Sequence, residues 1–211
     1  MNRRSRGACA VLISALLVGC ATQPPAVEEP PPEAPASLSE SERWGIHRER
    51  VAALAVWEAR GKVGFTLPDE AGSASLRWRQ RDDGSDLRLS GPLGASPVSL
   101  RSDGALIQLR RDGIERSYPA DAAPWLGDGR LLPIPVHSIQ HWLRGIPNPQ
   151  LAVTHIETRD GLLQAMSQGD WEISYEDYRT VGDYTLPAKL TVNAPPVSLQ
   201  LRVIIRDWGI E

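Results

Sequence analysis

Apolar and polar residues alternate along most of the chain after residue 61. Ala74, Leu76 and Trp78 are separated by polar residues, and the same period of two returns at Leu87 and Leu89. Similar segments lie at 98–100, 107–109, 162–166, 171–175, 189–192 and 199–208, and turn-forming residues occupy 68–72, 82–84, 102–104 and 112–113. Short alternating segments joined by turns are typical of antiparallel strands with one buried face. The pattern therefore predicts a long antiparallel meander.

Other segments follow the period of a helix. Ser39 and Glu42 have the Ser-x-x-Glu spacing of a capping box, and mostly apolar residues then recur every three or four positions. These residues are Trp44, His47, Val51, Leu54 and Trp57. The spacing predicts an amphipathic helix at the start of the domain. A short helix is predicted over 136–143, entered at Pro135, and a single helical turn over 121–126.

These elements predict a mainly β domain with a few helices. A long meander has to close or cover its two edges, because unpaired edge strands expose backbone groups that pair with other chains. A barrel, or a half-open barrel capped by helices, is therefore favoured over a flat sheet.

The first twenty residues have the organisation of a bacterial lipoprotein signal. Arg3, Arg4 and Arg6 precede an apolar run that ends in Leu17-Val18-Gly19-Cys20. This ending resembles a lipobox, in which cleavage leaves the cysteine first and lipid is attached to its thiol and its amine. We therefore expect residues 1–19 to be a signal peptide and Cys20 to carry S-diacylglyceryl and N-acyl groups. The run is shorter than the ~20 apolar residues of a membrane-spanning helix.

The mature chain would consist of a tether and one domain. Residues 20–38 are rich in proline and glutamate and predict an extended tether after the lipidated cysteine, and residues 39–211 are long enough for a single domain. Removing the signal lowers the formal net charge from −3 to −6, which argues against nucleic acid as a partner. Ala21 follows the cysteine in place of an inner-membrane retention aspartate, so we expect the periplasmic face of the outer membrane.

Candidate catalytic and metal-binding groups are few. His137 and His141 are four residues apart on the predicted short helix, but the segment lacks the glutamate of a His-Glu-x-x-His zinc site. The acidic pairs at 69–70 and 82–83 lie in predicted turns, and Cys9 and Cys20 leave no thiol in the mature chain. No hydrolase, phosphate-binding or dinucleotide motif occurs. We expect no enzyme activity, no metal and no cofactor apart from the covalent lipid.

Tryptophan is unusually frequent, with seven residues against a single phenylalanine. Six of them fall on apolar stripes, namely Trp44, Trp57, Trp78, Trp142, Trp171 and Trp208. A filled core and the wall of a cavity for an apolar ligand produce the same alternation, so both interpretations stay open at this point.

The segment Gly91-Pro92-Leu93-Gly94 places a leucine among turn-forming residues after a strand. Either Leu93 folds back onto the sheet or it protrudes. A protruding leucine contributes about 1.5 to 3 kcal/mol when fully buried in a bilayer, which suits transient membrane contact.

The order of several short motifs resembles the LolB family of outer-membrane lipoprotein-localisation receptors. They are the lipobox, the proline-rich tether, and the segments 57–64, 76–80, 91–94, 132–135, 142–147, 169–175 and 186–190, with Trp208 near the end. The resemblance covers nearly the whole mature domain. Residues 63–68 include loop details that are specific to this chain.

The resemblance implies an incomplete, half-open antiparallel β-barrel in which helices close an apolar cavity. It implies a monomeric receptor that takes triacylated lipoproteins from the soluble periplasmic carrier LolA and releases them into outer-membrane lipid without nucleotide. The family's membrane-insertion loop maps onto Pro92, Leu93 and Gly94. Candidate acyl-chain contacts in the cavity are Trp78, Leu87, Leu89, Leu100, Leu109, Trp171 and Ile173.

Two alternatives belong to other functional classes. A lipid-anchored module that binds one small apolar molecule would show saturable ligand binding without onward delivery. A scaffold lipoprotein with a filled core would bind neither lipid nor a hydrophobic dye.

Overall fold

The computed structural model describes residues 38–92, 97–119 and 135–211. The first part contains α1 (Glu40–Ala52), β1 (Val56–Leu67), β2 (Glu70–Arg81) and β3 (Gly84–Ser90), followed by β4 (Val98–Ser102), β5 (Leu106–Arg111) and β6 (Ile114–Pro119). The second contains α2 (Val136–Leu143), β7 (Val153–Arg159), β8 (Leu162–Gln168), β9 (Trp171–Val181), β10 (Tyr184–Ala194), a 3₁₀ turn (Pro195–Val197) and β11 (Leu199–Ile210).

The eleven strands of the described residues belong to one antiparallel sheet with the order β6-β5-β4-β3-β2-β1-β11-β10-β9-β8-β7. Strands that follow each other along the chain pair with each other, except β6 and β7, and the two halves of the chain meet where β1 pairs with β11. β6 and β7 form the edges and do not pair with each other, so the sheet stays open, as expected for an incomplete barrel. One sheet face carries the buried core, because alternate residues of a strand point to opposite faces.

Helix α1 begins as predicted but ends earlier. Ser39 is its N-cap, and both hydrogen bonds of the capping box with Glu42 are present. The helix ends at Ala52, so the prediction that the helix extends to Trp57 was wrong. Trp57 lies in β1 and pairs with residues of β2 and β11. Because of this pairing, β1 begins at Val56, earlier than residue 61, where the alternation was predicted to begin. Leu54 and Trp57 lie beyond the helix but still fit its spacing of apolar residues, because they are buried in the same core as Trp44 and Val51.

Helix α2 has the predicted bounds, and a Schellman motif ends it. The N–H of Ile146 bonds to the His141 carbonyl at 3.2 Å, and the N–H of Gly145 bonds to the Trp142 carbonyl at 3.0 Å. Gly145 has a φ of 78°, a conformation that glycine adopts without steric cost. The predicted helical turn over 121–126 lies outside the described residues.

Candidate functional site

An apolar cavity of about 270 Å³ lies between the buried face of the sheet and α2. The strands β1, β2, β3, β10 and β11 supply most of its wall, and α2 supplies one side. The apolar lining residues are Val63, Phe65, Ala74, Leu76, Trp78, Leu87, Leu89, Val98, Ile139, Trp142, Leu143, Leu190, Val192, Leu199, Leu201 and Val203. The wall therefore joins the two halves of the sheet across the β1–β11 pair.

Polar residues reach the cavity mainly at one end of the sheet. The turn at 68–69, the 91–97 connection and the turn at 112–113 all leave the sheet there, and we call this the loop end. Glu70 and Arg111 line the cavity at the loop end, together with Phe65, Gly91 and Val98. The remaining wall is built from aliphatic and aromatic side chains and suits a hydrocarbon ligand.

Three indole rings that pack against each other close the cavity at the opposite end. Trp57 packs against Trp78 with ring centroids 6.2 Å apart and against Trp208 at 5.5 Å. The Trp78 indole N–H donates to the Gln80 side-chain oxygen at 3.1 Å, and Ser85 donates to the same oxygen at 2.7 Å. These bonds fix the orientation of Trp78, because a buried indole N–H needs an acceptor.

Helix α2 is fastened to the sheet by buried polar contacts. The Trp142 indole N–H donates to the Gln168 side chain at 2.9 Å, and the Tyr175 hydroxyl donates to the Trp142 carbonyl at 2.9 Å. Gln168 also accepts from the Asn148 N–H at 2.9 Å. The helix wall is therefore held at a defined place over the sheet.

Arg144 connects α2 to the end of α1. It is only 6% exposed, and its guanidinium donates to the carbonyls of Val51 at 3.2 Å and Leu54 at 3.0 Å. Its carbon Cζ lies 5.9 Å from the centre of the Trp57 ring, within cation–π range. Burial lowers the pKa of Arg144 to about 10. The group stays charged at neutral pH and ties together both helices and the closed end of the cavity.

The structure divides the predicted acyl-contact residues into two groups. Trp78, Leu87 and Leu89 line the cavity. Leu100, Leu109 and Ile173 are buried in the core but do not line the cavity, and Trp171 packs on Trp142 with ring centroids 5.6 Å apart. The alternating pattern identifies the correct sheet face without locating the cavity along it.

The prediction missed the cavity residues of α2 and of the second half of the sheet. Ile139, Trp142 and Leu143 are the apolar side of a short amphipathic helix, a pattern that could have been detected. Leu199, Leu201 and Val203 alternate with polar residues in β11, so their shared face could also have been predicted. Their position beside β1 depends on the β1–β11 pairing.

Some predicted functional residues lie outside the described part of the chain. Cys20, Leu93 and Gly94 belong to this group. Pro92, the first residue of the connection after Gly91, is exposed. The lipid attachment and the membrane-insertion loop stay predictions.

The two histidines of α2 border a second, polar depression of about 870 Å³. Burial, with a further contribution from the charge of Arg144, lowers the pKa of His141 to about 4. Within residues 38–92, 97–119 and 135–211, no group of three or more His, Cys, Asp or Glu side chains is arranged to hold a metal ion. In the same ranges, no helix has both the length and the apolar character to cross a bilayer.

The solved crystal structure of a LolA superfamily protein from Nitrosomonas europaea has a similar fold. It superposes with a TM-score of 0.55 at 6% identity and covers 83% of this chain and 94% of its own. At this identity the likeness concerns the fold alone.

Sequence comparison identifies the family. The outer-membrane lipoprotein LolB of Cellvibrio japonicus is 31% identical over 204 residues, which is 95% of this chain and 95% of the relative. The LolB of Alkalilimnicola ehrlichii is 30% identical over 209 residues and covers 99% of this chain and 98% of its own. The family model described as "Outer membrane lipoprotein LolB" matches residues 55–208. The chain therefore belongs to the LolB family.

Proposed function

We propose that this chain is an outer-membrane lipoprotein receptor. It accepts acylated lipoproteins from a LolA-type periplasmic carrier and inserts them into the inner leaflet of the outer membrane. The observation that carries the proposal is the apolar cavity between α2 and the sheet, in a chain of the LolB family. Receptors of this kind work without nucleotide and without covalent chemistry, so we assign the chain no enzyme activity and no cofactor.

The physical basis is the cost of exposing acyl chains to water. Each methylene group transferred from an apolar environment to water costs about 0.8 kcal/mol, so cargo has to pass between apolar cavities. Transfer then runs downhill from the carrier to this cavity and on to the bilayer. The cavity of about 270 Å³ lies just below the range of about 300–1,000 Å³ typical of ligand pockets. Three acyl chains therefore require the cavity to widen when cargo enters.

The predicted acyl-contact residues have two roles in the proposed function. Trp78, Leu87 and Leu89 contact the acyl chains directly, while Leu100, Leu109 and Ile173 support the same face from the core. Trp171 supports the cavity through Trp142.

The N-terminal part of the chain and the 91–97 connection provide membrane contact. In the proposed organisation residues 1–19 are a signal peptide, residues 20–38 carry the lipid on Cys20 and form a tether, and residues 39–211 form the receptor domain. The monomeric domain remains at the periplasmic face of the outer membrane, where Leu93, flanked by Pro92 and Gly94, enters the lipid.

A cavity-filling substitution tests uptake. In the mature chain made without its anchor by Cys20→Ala, Ala74→Phe places an aromatic ring in the cavity, since Ala74 lines it. Ser75→Phe is the matched control, because Ser75 is exposed and its side chain points to the opposite face. Fitting cargo beside the added ring costs about 1–3 kcal/mol, so Ala74→Phe should reduce transfer of a triacylated lipoprotein from the carrier about 5- to 150-fold.

The same assay separates the competing functions. Transfer to the wild-type domain and then to liposomes without nucleotide supports the receptor. Cargo that stays on the carrier while the domain binds free fatty acid refutes it in favour of a module for a small apolar ligand. Equal transfer by Ala74→Phe and Ser75→Phe would contradict the cavity as the acyl site.

A substitution in the 91–97 connection tests release. Leu93→Glu should block delivery to liposomes and leave uptake from the carrier intact, because a carboxylate does not enter the hydrocarbon region. Leu93→Ile keeps the apolar surface and should behave as wild type. Equal loss of uptake and delivery in Leu93→Glu would argue against a role confined to membrane contact.

A further inference from the structure

Arginines form two registered rows on the sheet face opposite the cavity. In one row Arg60, Arg77 and Arg88 are direct cross-strand neighbours, and Arg110 follows one strand beyond Ser99. In the adjacent row, Arg79 and Arg101 alternate with carboxylates. We call this set the arginine face, and its members are Arg60, Arg77, Arg79, Arg88, Arg101 and Arg110.

The arginine face carries more positive than negative charge. Glu58 lies within 2.6 Å of Arg77 and 3.1 Å of Arg79 and also pairs with Arg60. Asp86 lies 3.1 Å from Arg88 and 3.5 Å from Arg101. Glu58 and Asp86 therefore pair with five guanidinium groups, while Asp207 lies opposite Arg60 and Glu115 lies opposite Arg110 in the register, so six arginines face four carboxylates. The whole chain, by contrast, has a formal net charge of −3.

The rows extend over five strands, from β1 to β5. Neighbouring strands are about 4.8 Å apart, so the row from Arg60 to Arg110 spans about 19 Å. Arg60, Arg88, Arg101 and Arg110 are exposed. Such a surface presents several guanidinium forks at once, and these forks match the geometry of phosphate oxygens.

The arginine face contains a depression at the loop end of the sheet. This depression has a volume of about 440 Å³ and is lined by Arg88, Arg101 and Arg110 together with Ser99. Asp112 also borders it and lies 3.4 Å from Arg111. Pro97 lines the same depression, and Leu89 and Val98, which also line the cavity, border it at the loop end of the sheet. Several guanidinium groups around one depression are typical of surfaces that bind phosphate groups.

We infer that the arginine face docks the domain on an anionic phospholipid bilayer, with a lipid phosphate in the depression between Arg88, Arg101 and Arg110. The depression includes Ser90, which precedes the 91–97 connection, and Pro97, its last residue, so headgroup binding and membrane contact of that connection occur at the same end of the sheet. An anionic membrane repels a chain of negative net charge, and the basic face therefore also sets the orientation of approach. The inference rests on the proposed function only in placing the domain beside a membrane.

Vesicle binding tests the arginine face without cargo or carrier. The probe is the mature chain with Cys20→Ala, mixed with vesicles of phosphatidylethanolamine alone or of phosphatidylethanolamine and phosphatidylglycerol in a two-to-one ratio. Each arginine near an anionic surface strengthens binding about fivefold. The triple variant Arg88→Gln, Arg101→Gln, Arg110→Gln should therefore bind the anionic vesicles about 10- to 100-fold more weakly, because Asp86 partly offsets two of the charges.

A second triple variant provides the matched control. Arg48, Arg50 and Arg159 are exposed and lie on α1 and β7, outside the arginine face. Changing all three to Gln removes the same net charge and should alter vesicle binding less than about twofold if location matters more than total charge. Raising the salt concentration from about 0.1 M to 1 M should weaken wild-type binding and leave the arginine-face variant nearly unaffected. Urea unfolding of both variants checks that they are folded.

The outcomes distinguish this inference from the proposed function. Equal binding of wild type to neutral and anionic vesicles, or equal losses in both triple variants, refutes the arginine face, while carrier-to-liposome transfer continues to test the receptor. An arginine-face variant that binds anionic vesicles normally but fails to take cargo from the carrier also refutes it and points to an acidic protein as the partner. Selective loss of anionic vesicle binding with normal uptake supports it.

Discussion

Arg144 joins the two helices at the closed end of the cavity, and its replacement by methionine should destabilise the domain. Its guanidinium donates to the carbonyls of Val51, Leu54 and Gln140 at 3.2, 3.0 and 3.2 Å. Methionine retains much of the length of the side chain and removes all three hydrogen bonds. The Leu54 carbonyl, where the chain turns toward β1, would lose the charged donor.

The magnitude follows from two opposing contributions. Hydrogen bonds to a charged group contribute about 1.5–3 kcal/mol each, so three of them contribute about 4.5–9 kcal/mol. Burial opposes this, because it lowers the pKa of Arg144 from 12.5 to about 10, which corresponds to a penalty of about 3 kcal/mol. We therefore expect Arg144→Met to lower the free energy of unfolding by about 1.5–6 kcal/mol. Arg144→Lys should lose less, since an ammonium keeps the charge and reaches some of the carbonyls.

Urea unfolding followed by tryptophan fluorescence measures this change, because several tryptophans are buried in the core. Arg48→Met is the control, since Arg48 lies exposed on α1 and should change stability by less than about 0.5 kcal/mol. An Arg144→Met variant within about 0.5 kcal/mol of wild type would refute the reasoning, because it would mean that the three carbonyls find equally good partners without the guanidinium.

Two further predictions concern pH and backbone packing. Burial and the charge of Arg144 lower the pKa of His141 from 6.5 to about 4, so the unfolded chain takes up a proton first and stability should fall by about 1–2 kcal/mol from pH 7 to pH 5. His141→Gln should remove most of this pH dependence of the free energy of unfolding, measured by urea unfolding at both pH values. An unchanged pH dependence would show that other groups cause it. Gly61 lies at a bulge where a Cβ would overlap the Ile204 backbone, so Gly61→Ala should destabilise by about 2 kcal/mol or more. Gly45→Ala in α1 meets no neighbour and should stabilise by about 0.5–1 kcal/mol; thermal unfolding that ranks the two variants in the opposite order would contradict this.

Local chemistry accounts for the elements that the sequence predicts well. The capping box at Ser39 starts α1, and the bounds of α2 follow from an amphipathic run between Pro135 and Gly145. The alternating segments of β2 and β3 become strands because each has one buried face. Such patterns depend on neighbours within one turn or one strand, so they can be read from the chain alone.

The strands that sequence analysis did not identify are the two edges of the sheet. β6 and β7 are exposed along nearly their whole length and show no alternation of buried and exposed residues. Ile114, Val153 and Ile156 are apolar but exposed. These segments are strands because β5 and β8 pair with them, and such pairing has no local signature.

By itself the sequence determined which residues of a strand share a face, because alternation follows from the backbone of the strand. It determined in this way that Trp78 and Leu100 lie on the buried face and that Arg77 and Arg101 lie on the other. Only the tertiary structure decided that α2 leaves a cavity over Trp78 and a filled core at Leu100. Only cross-strand register placed the arginines in rows. Contacts between distant segments depend on how strands pair and where helices pack, and neither is set by neighbours along the chain.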